Sequence, residues 1–297
     1  MKGKPELVVK AQAVIGEGPF WDSRDGLLYW VDIAEKTLFI HDPKAGTNQA
    51  IHVGQFIGSA AVRSSRELVV ALEDGFSFLD VRTGKLTPIA DPEAHVPTNR
   101  FNDGKCDARG RFWAGTQPSD GKGGATDARG VAALYRLNPD QTVKKMVDGV
   151  SISNGIAWSP DNKVLYYVDS RIMGVAAFDF DLDTGEISNR RYPIEMPAGH
   201  GLPDGMTADD EGMLYIAEWD GYQVSRWDPG TGKCVDSIKF PIAKITSCCF
   251  GGPKLDELYV TTACLGVKPG DTDQKDAGSV FRVHMGTSGA DSYRYAG

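Results

Sequence analysis

Four short motifs set an oxygen-bearing side chain beside glycine: Glu17 in Gly16-Glu-Gly-Pro19, Asn102 in Arg100-Phe-Asn-Asp-Gly104, Asn154 in Ser151-Ile-Ser-Asn-Gly155 and Asp204 in Pro203-Asp-Gly205. Two carboxylates and two amide carbonyls form a hard-oxygen set of the kind that Ca²⁺, Mg²⁺ or Mn²⁺ takes. Arg100 adds a fixed charge and a fork of donors for hydroxyl or carbonyl oxygens, and Asn102 can both donate and accept. Taken singly, Asn-Gly and Asp-Gly are as readily turn residues as ligands. Other candidates are weaker. The five histidines are scattered without metal-ligand spacing, and no two of the five cysteines form Cys-x-x-Cys.

What makes the four motifs a set is the repeat that must position them. Short β-branched and aromatic runs begin at Leu28, Leu68, Phe112, Leu165, Leu214 and Leu258, at separations of 40, 44, 53, 49 and 44 residues. Hairpin-type turns precede most of them, among them Ser23-Arg-Asp-Gly26, Asp107-Ala-Arg-Gly110, Ser159-Pro-Asp-Asn162 and Asp209-Asp-Glu-Gly212. A second alternating run follows each, and no long stretch shows helical periodicity. Six units of this length, each supplying about four strands, predict an all-β fold: a single six-bladed β-propeller spanning residues 1–297. A sandwich or two stacked barrels are the alternatives. Counting back 10 or 11 residues from the runs lands on Glu17, Asn102, Asn154 and Asp204 in blades 1, 3, 4 and 5, and on Ile57/Gly58 and Thr246/Ser247 in blades 2 and 6. Equal phase in a propeller means equal height and equal distance from the axis. The four side chains should therefore converge at one mouth of the central channel.

Composition narrows the function classes. The chain has 297 residues, 32 Lys and Arg against 40 Asp and Glu, a net charge of −8, and 35 glycines, well above the usual share. A mildly acidic chain without a basic run argues against nucleic acid and against an anionic membrane surface. Met1-Lys2-Gly3-Lys4-Pro5 is charged, and Leu7 to Ile15 is broken by Lys10 and Gln12. Neither a signal-peptide core nor a spanning helix is expected. An odd number of cysteines fits a reducing cytoplasm. Bland roles are expected for several conspicuous residues: Asp103 as a turn cap, Cys248-Cys249 as buried small apolar groups, and Trp30, Trp113, Tyr166, Tyr215 and Tyr259 as blade packing. Asp179-Phe-Asp-Leu-Asp183 reads as a polar strand edge, because it lacks the spacing of a calcium loop.

The motifs GEGP (16–19), RFNDGKCDARGRFWAGT (100–116), SISNGIAWSPDNKVLYYVDS (151–170), PDGMTADDEG (203–212), SCCFGG (247–252) and the terminal SYRYAG (292–297) together resemble the senescence-marker-protein/gluconolactonase/luciferin-regenerating-enzyme family, and most closely its regucalcin branch. The resemblance spans essentially the whole chain. It implies a six-bladed propeller holding one catalytic divalent metal ion, Ca²⁺ first and Zn²⁺, Mn²⁺ or Mg²⁺ as alternatives, on Glu17, Asn154 and Asp204. It implies substrate-binding roles for Arg100 and Asn102, and places Asp120 where regucalcins carry a Glu. Asp120 is thereby a third substrate-binding candidate; the loop around it, Gln117 to Gly124, departs from the family, and its glycines and shorter acid predict a more open, mobile pocket that accepts several sugar lactones. The implied reaction is hydrolysis of a sugar-acid lactone, with Asp204 also acting as general base, in a monomer or weak oligomer. Alternatives are a non-catalytic calcium-binding regulator, a phosphotriesterase using the same metal, and a protein-interaction propeller.

Overall fold

Strands start where the β-branched and aromatic runs leave their turns. The turn residues take the left-handed backbone the sequence suggests, with Gly26 at φ +69° and Asn162 at +55°. The computed structural model describes residues 3–268 and 270–297. Met1 and Lys2, part of the charged N-terminal run, and Pro269 lie outside the described residues. Among the described residues, twenty-four strands form six four-stranded antiparallel sheets. Five sheets use four consecutive strands. The sixth takes Ile245–Gly251, Glu257–Thr262 and Val280–His284 and is completed by the N-terminal strand Glu6–Val9, which pairs with Val280–His284. The first strands of neighbouring sheets pack on one another around the centre, as blades of a propeller do. Among the described residues no helix is long and apolar enough to cross a membrane.

The core lies between blades. Trp113 of blade 3 packs on Trp158 of blade 4 with ring centroids 6.2 Å apart, and Trp21 of blade 1 stacks on Tyr259 of blade 6 at 5.5 Å. Tyr215 of blade 5 meets Phe250 of blade 6 edge-on at 5.2 Å. Trp30, Trp113, Tyr215 and Tyr259 are fully buried and Tyr166 is half-buried, so these rings are packing groups. Each such pair adds about 0.5–1.5 kcal/mol beyond the area it buries.

The innermost strands carry the four motifs: Gly16–Asp22, Asn99–Cys106, Ser153–Trp158 and Leu202–Ala208, with Ile57–Ser64 and Ile245–Gly251 in the other two blades. Their glycines were expected to set turns. Instead they lie within strands, where the pairing register breaks: between Glu17 and Phe20, Phe101 and Gly104, Ser153 and Ile156, and Pro203 and Met206. Such bulges re-aim side chains next to active sites. The glycines also let inner strands meet. A Cβ on Gly155 would stand 2.5 Å from Met206 Cβ and 2.8 Å from the Asp204 carbonyl.

Candidate active site

Glu17, Arg100, Asn102, Asn154 and Asp204 are all buried and all line one cavity of about 250 Å³ at the start of the inner strands. The in-phase placement read from the repeat is what the fold delivers. The approach to two of these strands is fixed by an aspartate closing the neighbouring strand. Asp32 accepts the amides of Val14 and Ile15 at 2.8 and 3.1 Å, and Asp169 those of Ser151 and Ile152 at 3.0 and 3.1 Å. In blade 5, Glu218 accepts the Gly201 amide at 3.0 Å. Sequence reasoning missed these brackets, although Val-Asp closes both Leu-Tyr-Trp-Val-Asp32 and Leu-Tyr-Tyr-Val-Asp169 and was a legible signal.

A directed chain of hydrogen bonds orients the amides. Arg100 Nη1 donates to Asn102 Oδ1 at 2.7 Å, and Asn102 Nδ2 donates to Asn154 Oδ1 at 2.9 Å and to the Ser153 carbonyl at 2.8 Å. Asn154 Nδ2 donates to Ser170 Oγ at 2.8 Å, and that hydroxyl donates to the Pro203 carbonyl at 2.6 Å. Since a carbonyl can only accept, the Ser170 proton is committed and its oxygen must accept from Asn154. Neither asparagine can then flip without breaking a bond at each end. Ser170 has no place among the residues singled out by the sequence.

Glu17 and Asp204 are buried side by side on the wall of the cavity, and their carboxyls interact directly. Burial raises both carboxyls above the ordinary carboxylate range. The charge of Asp103 adds to this at both, and Glu17's charge adds to it at Asp204. Asp103 is itself buried, accepts the Gly104 amide at 2.8 Å, and is raised by burial. Two buried carboxyls, both raised, beside an amide oxygen of fixed direction, suit a divalent cation, which would offset their charge. The donor set therefore fits the metal the resemblance implies. Among the described residues no three His, Cys, Asp or Glu side chains are grouped as a metal site; the trio here has two carboxylates and an amide.

Arg100 departs from the simple picture of a substrate-facing guanidinium. Its Nε and Nη2 donate to the Gly123 carbonyl, Nε at 3.0 Å, and its Nη1 also reaches the Phe101 carbonyl at 2.8 Å. Burial lowers it to about 10, still charged at neutral pH. The clamp on Gly123 ties the Gln117 to Gly124 loop to the wall of the cavity. Ser119 bridges to Ala125, and Asp120 Oδ1 accepts the amides of Lys122 and Gly124 at 2.7 and 2.9 Å. Asp120 does reach the cavity wall, but one oxygen is turned onto its own loop. Cys248 and Cys249 are buried as expected. Asp179 and Asp183 pair with Arg191 and Arg109, and Asp181 accepts the amides of Asp183 and Thr184, as polar strand-edge groups do.

Known proteins share this architecture and sequence. Regucalcin of Xenopus laevis is 41% identical over 99% of both chains, and the "Putative sugar lactone lactonase YvrE" of Bacillus subtilis is 38% identical over 98% of both. The crystal structure of a calcium-binding protein, regucalcin, from Agrobacterium tumefaciens superimposes with a TM-score of 0.91 at 26% identity, over 99% of this chain and 97% of that one. Residues 15–264 match the domain described as "SMP-30/Gluconolactonase/LRE-like region", and this chain belongs to that family.

Proposed function

We propose that this protein hydrolyses sugar-acid lactones, with one divalent cation held by Glu17, Asn154 and Asp204. The observation that carries the proposal is the buried Glu17 and Asp204 carboxyl pair beside an Asn154 oxygen of fixed direction, in one cavity of about 250 Å³. Its all-oxygen composition favours Ca²⁺, with Mg²⁺, Mn²⁺ and Zn²⁺ as alternatives. When bound, the cation supplies Lewis-acid stabilisation of the negative charge that develops on the lactone carbonyl oxygen.

The chain's own groups do the rest. Asp204 accepts the proton of the attacking water as general base. Asn102, held by Arg100 and Asn154, presents a fixed amide to a ring hydroxyl. Arg100 spends four of its five N–H groups on protein, which leaves one Nη2 hydrogen and a buried charge facing the substrate. Asp120 and Gln117 border the sugar. The five free cysteines support a reducing cytoplasm as its location.

Hydrolysis of D-glucono-1,5-lactone, followed by acid release above the spontaneous rate, tests the proposal. Activity should vanish on chelation and return with one of the four cations. A rate no faster than buffer with every cation overturns it. Tight calcium binding without turnover would instead favour a calcium-binding regulator, the property named for the Agrobacterium relative. A higher kcat/KM on an organophosphate triester would favour a phosphotriesterase.

A further inference from the structure

Arg171 is a second guanidinium on the wall of this cavity, and nothing above uses it. It follows Ser170 in the single 3-10 turn Ser170–Ile172, so its backbone is anchored by the residue that orients Asn154. Nη2 donates to Asp127 Oδ1 at 2.7 Å and to the Thr126 carbonyl at 3.3 Å. The Asp127 side chain is 99% exposed, so water screens that pair and leaves it weak. Nε is buried with no partner, and among the described residues no hydrogen bond engages Nη1. Arg100 on the same wall has nearly all its donors spent on protein. Arg171 therefore brings to the cavity wall a guanidinium whose Nη1 is unspent and whose Nη2 is held by a screened, exposed partner.

We infer that Arg171 selects lactones bearing a carboxylate away from the ring carbonyl, the monolactones of sugar diacids, over neutral sugar-acid lactones. The inference rests on the lactonase reading of the same site. A hydroxyl would accept from Nη1 without neutralising it, whereas a carboxylate accepts from Nη1 with opposite charge and closes the Nη1–Nη2 fork when it displaces the exposed Asp127 from Nη2. Apolar walls from Ile152, Leu202 and Trp219 keep the contact from being screened as the Asp127 pair is. The carboxylates of Glu17 and Asp204 exclude an anionic substituent from the other end of the pocket, which fixes the orientation. Asp120, the remaining acid on the wall, has one oxygen committed to loop amides. A cavity of about 250 Å³ lies at the lower limit of small-molecule sites and favours a flat carboxylate over the bulk of a phosphate.

D-glucaro-1,4-lactone and D-glucono-1,4-lactone differ only in a terminal carboxylate against a hydroxymethyl group, and a 6-phosphorylated gluconolactone supplies the phosphate arm. Native protein should prefer the glucarolactone by about tenfold in kcat/KM, the equivalent of one good charged contact. Arg171→Met should abolish that ratio. Asp127→Asn should keep or raise it, because Asp127 competes with the substrate for Arg171. A native ratio of one or less overturns the inference, as does an unchanged ratio in Arg171→Met. Equal loss in Arg171→Met and Asp127→Asn would show a loop latch and overturn it too. Preference for the phosphorylated lactone over the glucarolactone would overturn the choice of carboxylate. Calorimetric binding of the two 1,4-lactones to native and Arg171→Met protein decides the matter even if neither is turned over. That case would sink the proposed reaction and leave charge selection to stand or fall by itself.

Discussion

Ser170 determines which way Asn154 faces, because its only proton is given to the Pro203 carbonyl. Ser170→Ala should leave the fold intact by circular dichroism yet weaken divalent-cation affinity by about 10–100-fold, the usual loss when an outer partner of a metal ligand is removed. Unchanged affinity by calorimetry would mean that Asn154 needs no such guide. For Asp204→Ala the expected loss in lactone kcat/KM is on the order of 10²–10⁴, since the proposed function gives this residue the roles of both metal ligand and base. Near-native turnover in saturating metal would remove Asp204 from the mechanism. The same pair sets a pH dependence. Glu17 and Asp204 are raised in the folded protein, so without metal the native state binds protons that the unfolded chain releases. Metal-free stability should therefore be highest near the ordinary carboxylate pKa and fall as pH rises from about 5 to about 9, with part of that slope lost in Asp204→Asn and in saturating Ca²⁺. Thermal melts at several pH values, with and without the cation, give the slope. A slope identical in native, Asp204→Asn and calcium-saturated protein would count against a raised carboxyl pair.

At the scale of elements, the site was legible because it recurs. Counting back from each aromatic strand found Glu17, Asn102, Asn154 and Asp204 without any contact information, since a repeat turns spacing into position. What spacing could not show was the backbone around them. Asn154-Gly155 and Asp204-Gly205 look like turns in sequence, and the structure puts both inside strands at bulges. The reason those glycines are small lies in the adjacent blade, which no local pattern contains: a Cβ on Gly205 would strike Ser247, and one on Gly155 would strike Met206. The relay through Ser170 and the Arg100–Gly123 clamp were hidden for the same reason, because they join residues from different blades or from a loop without periodicity. Gly155→Ala should push the Leu202–Ala208 strand outward. We expect about 1–3 kcal/mol of destabilisation from overpacking, together with weaker metal binding, because Asp204 rides on that strand. Loss of stability alone, with metal affinity intact, would show that the strand gives way elsewhere.

A closed ring of blades leaves two ends, and the chain treats them differently. The end with the cavity is lined by the starts of the inner strands. Near their other ends run residues 287–297, an irregular tail that ties four blades together. Thr287 and Ser288 donate to Asp210 at 2.9 and 2.6 Å, and Ser23 donates to Asp291 at 2.6 Å. Arg294 Nε donates to Asp22 at 2.9 Å and Nη2 to Asp25 at 3.0 Å. The Tyr295 amide donates to the Val62 carbonyl at 2.9 Å, while its hydroxyl donates to the Asn138 carbonyl at 2.7 Å, with the ring buried among blades 2 and 3. The antiparallel pairing of Glu6–Val9 with Val280–His284, with a register shift between Leu7 and Val9, closes the ring at blade 6, and the tail adds fastenings between blades that share no strand. In sequence, Ser292 to Gly297 carried only a resemblance, because a segment without periodicity announces no partner. Tyr295→Ala empties a buried aromatic site, which costs about 3–5 kcal/mol and should lower the melting temperature by about 5–10 °C. Deletion of 292–297 should lower it further, since Arg294 goes as well. Cation affinity well below the melting temperature should stay native in both variants, because the tail touches none of the ligand-bearing strand starts. A melting temperature unmoved by the deletion would leave the ring stable on strand pairing alone. A parallel loss of cation affinity would instead mean that the two ends of the propeller are mechanically coupled through the inner strands.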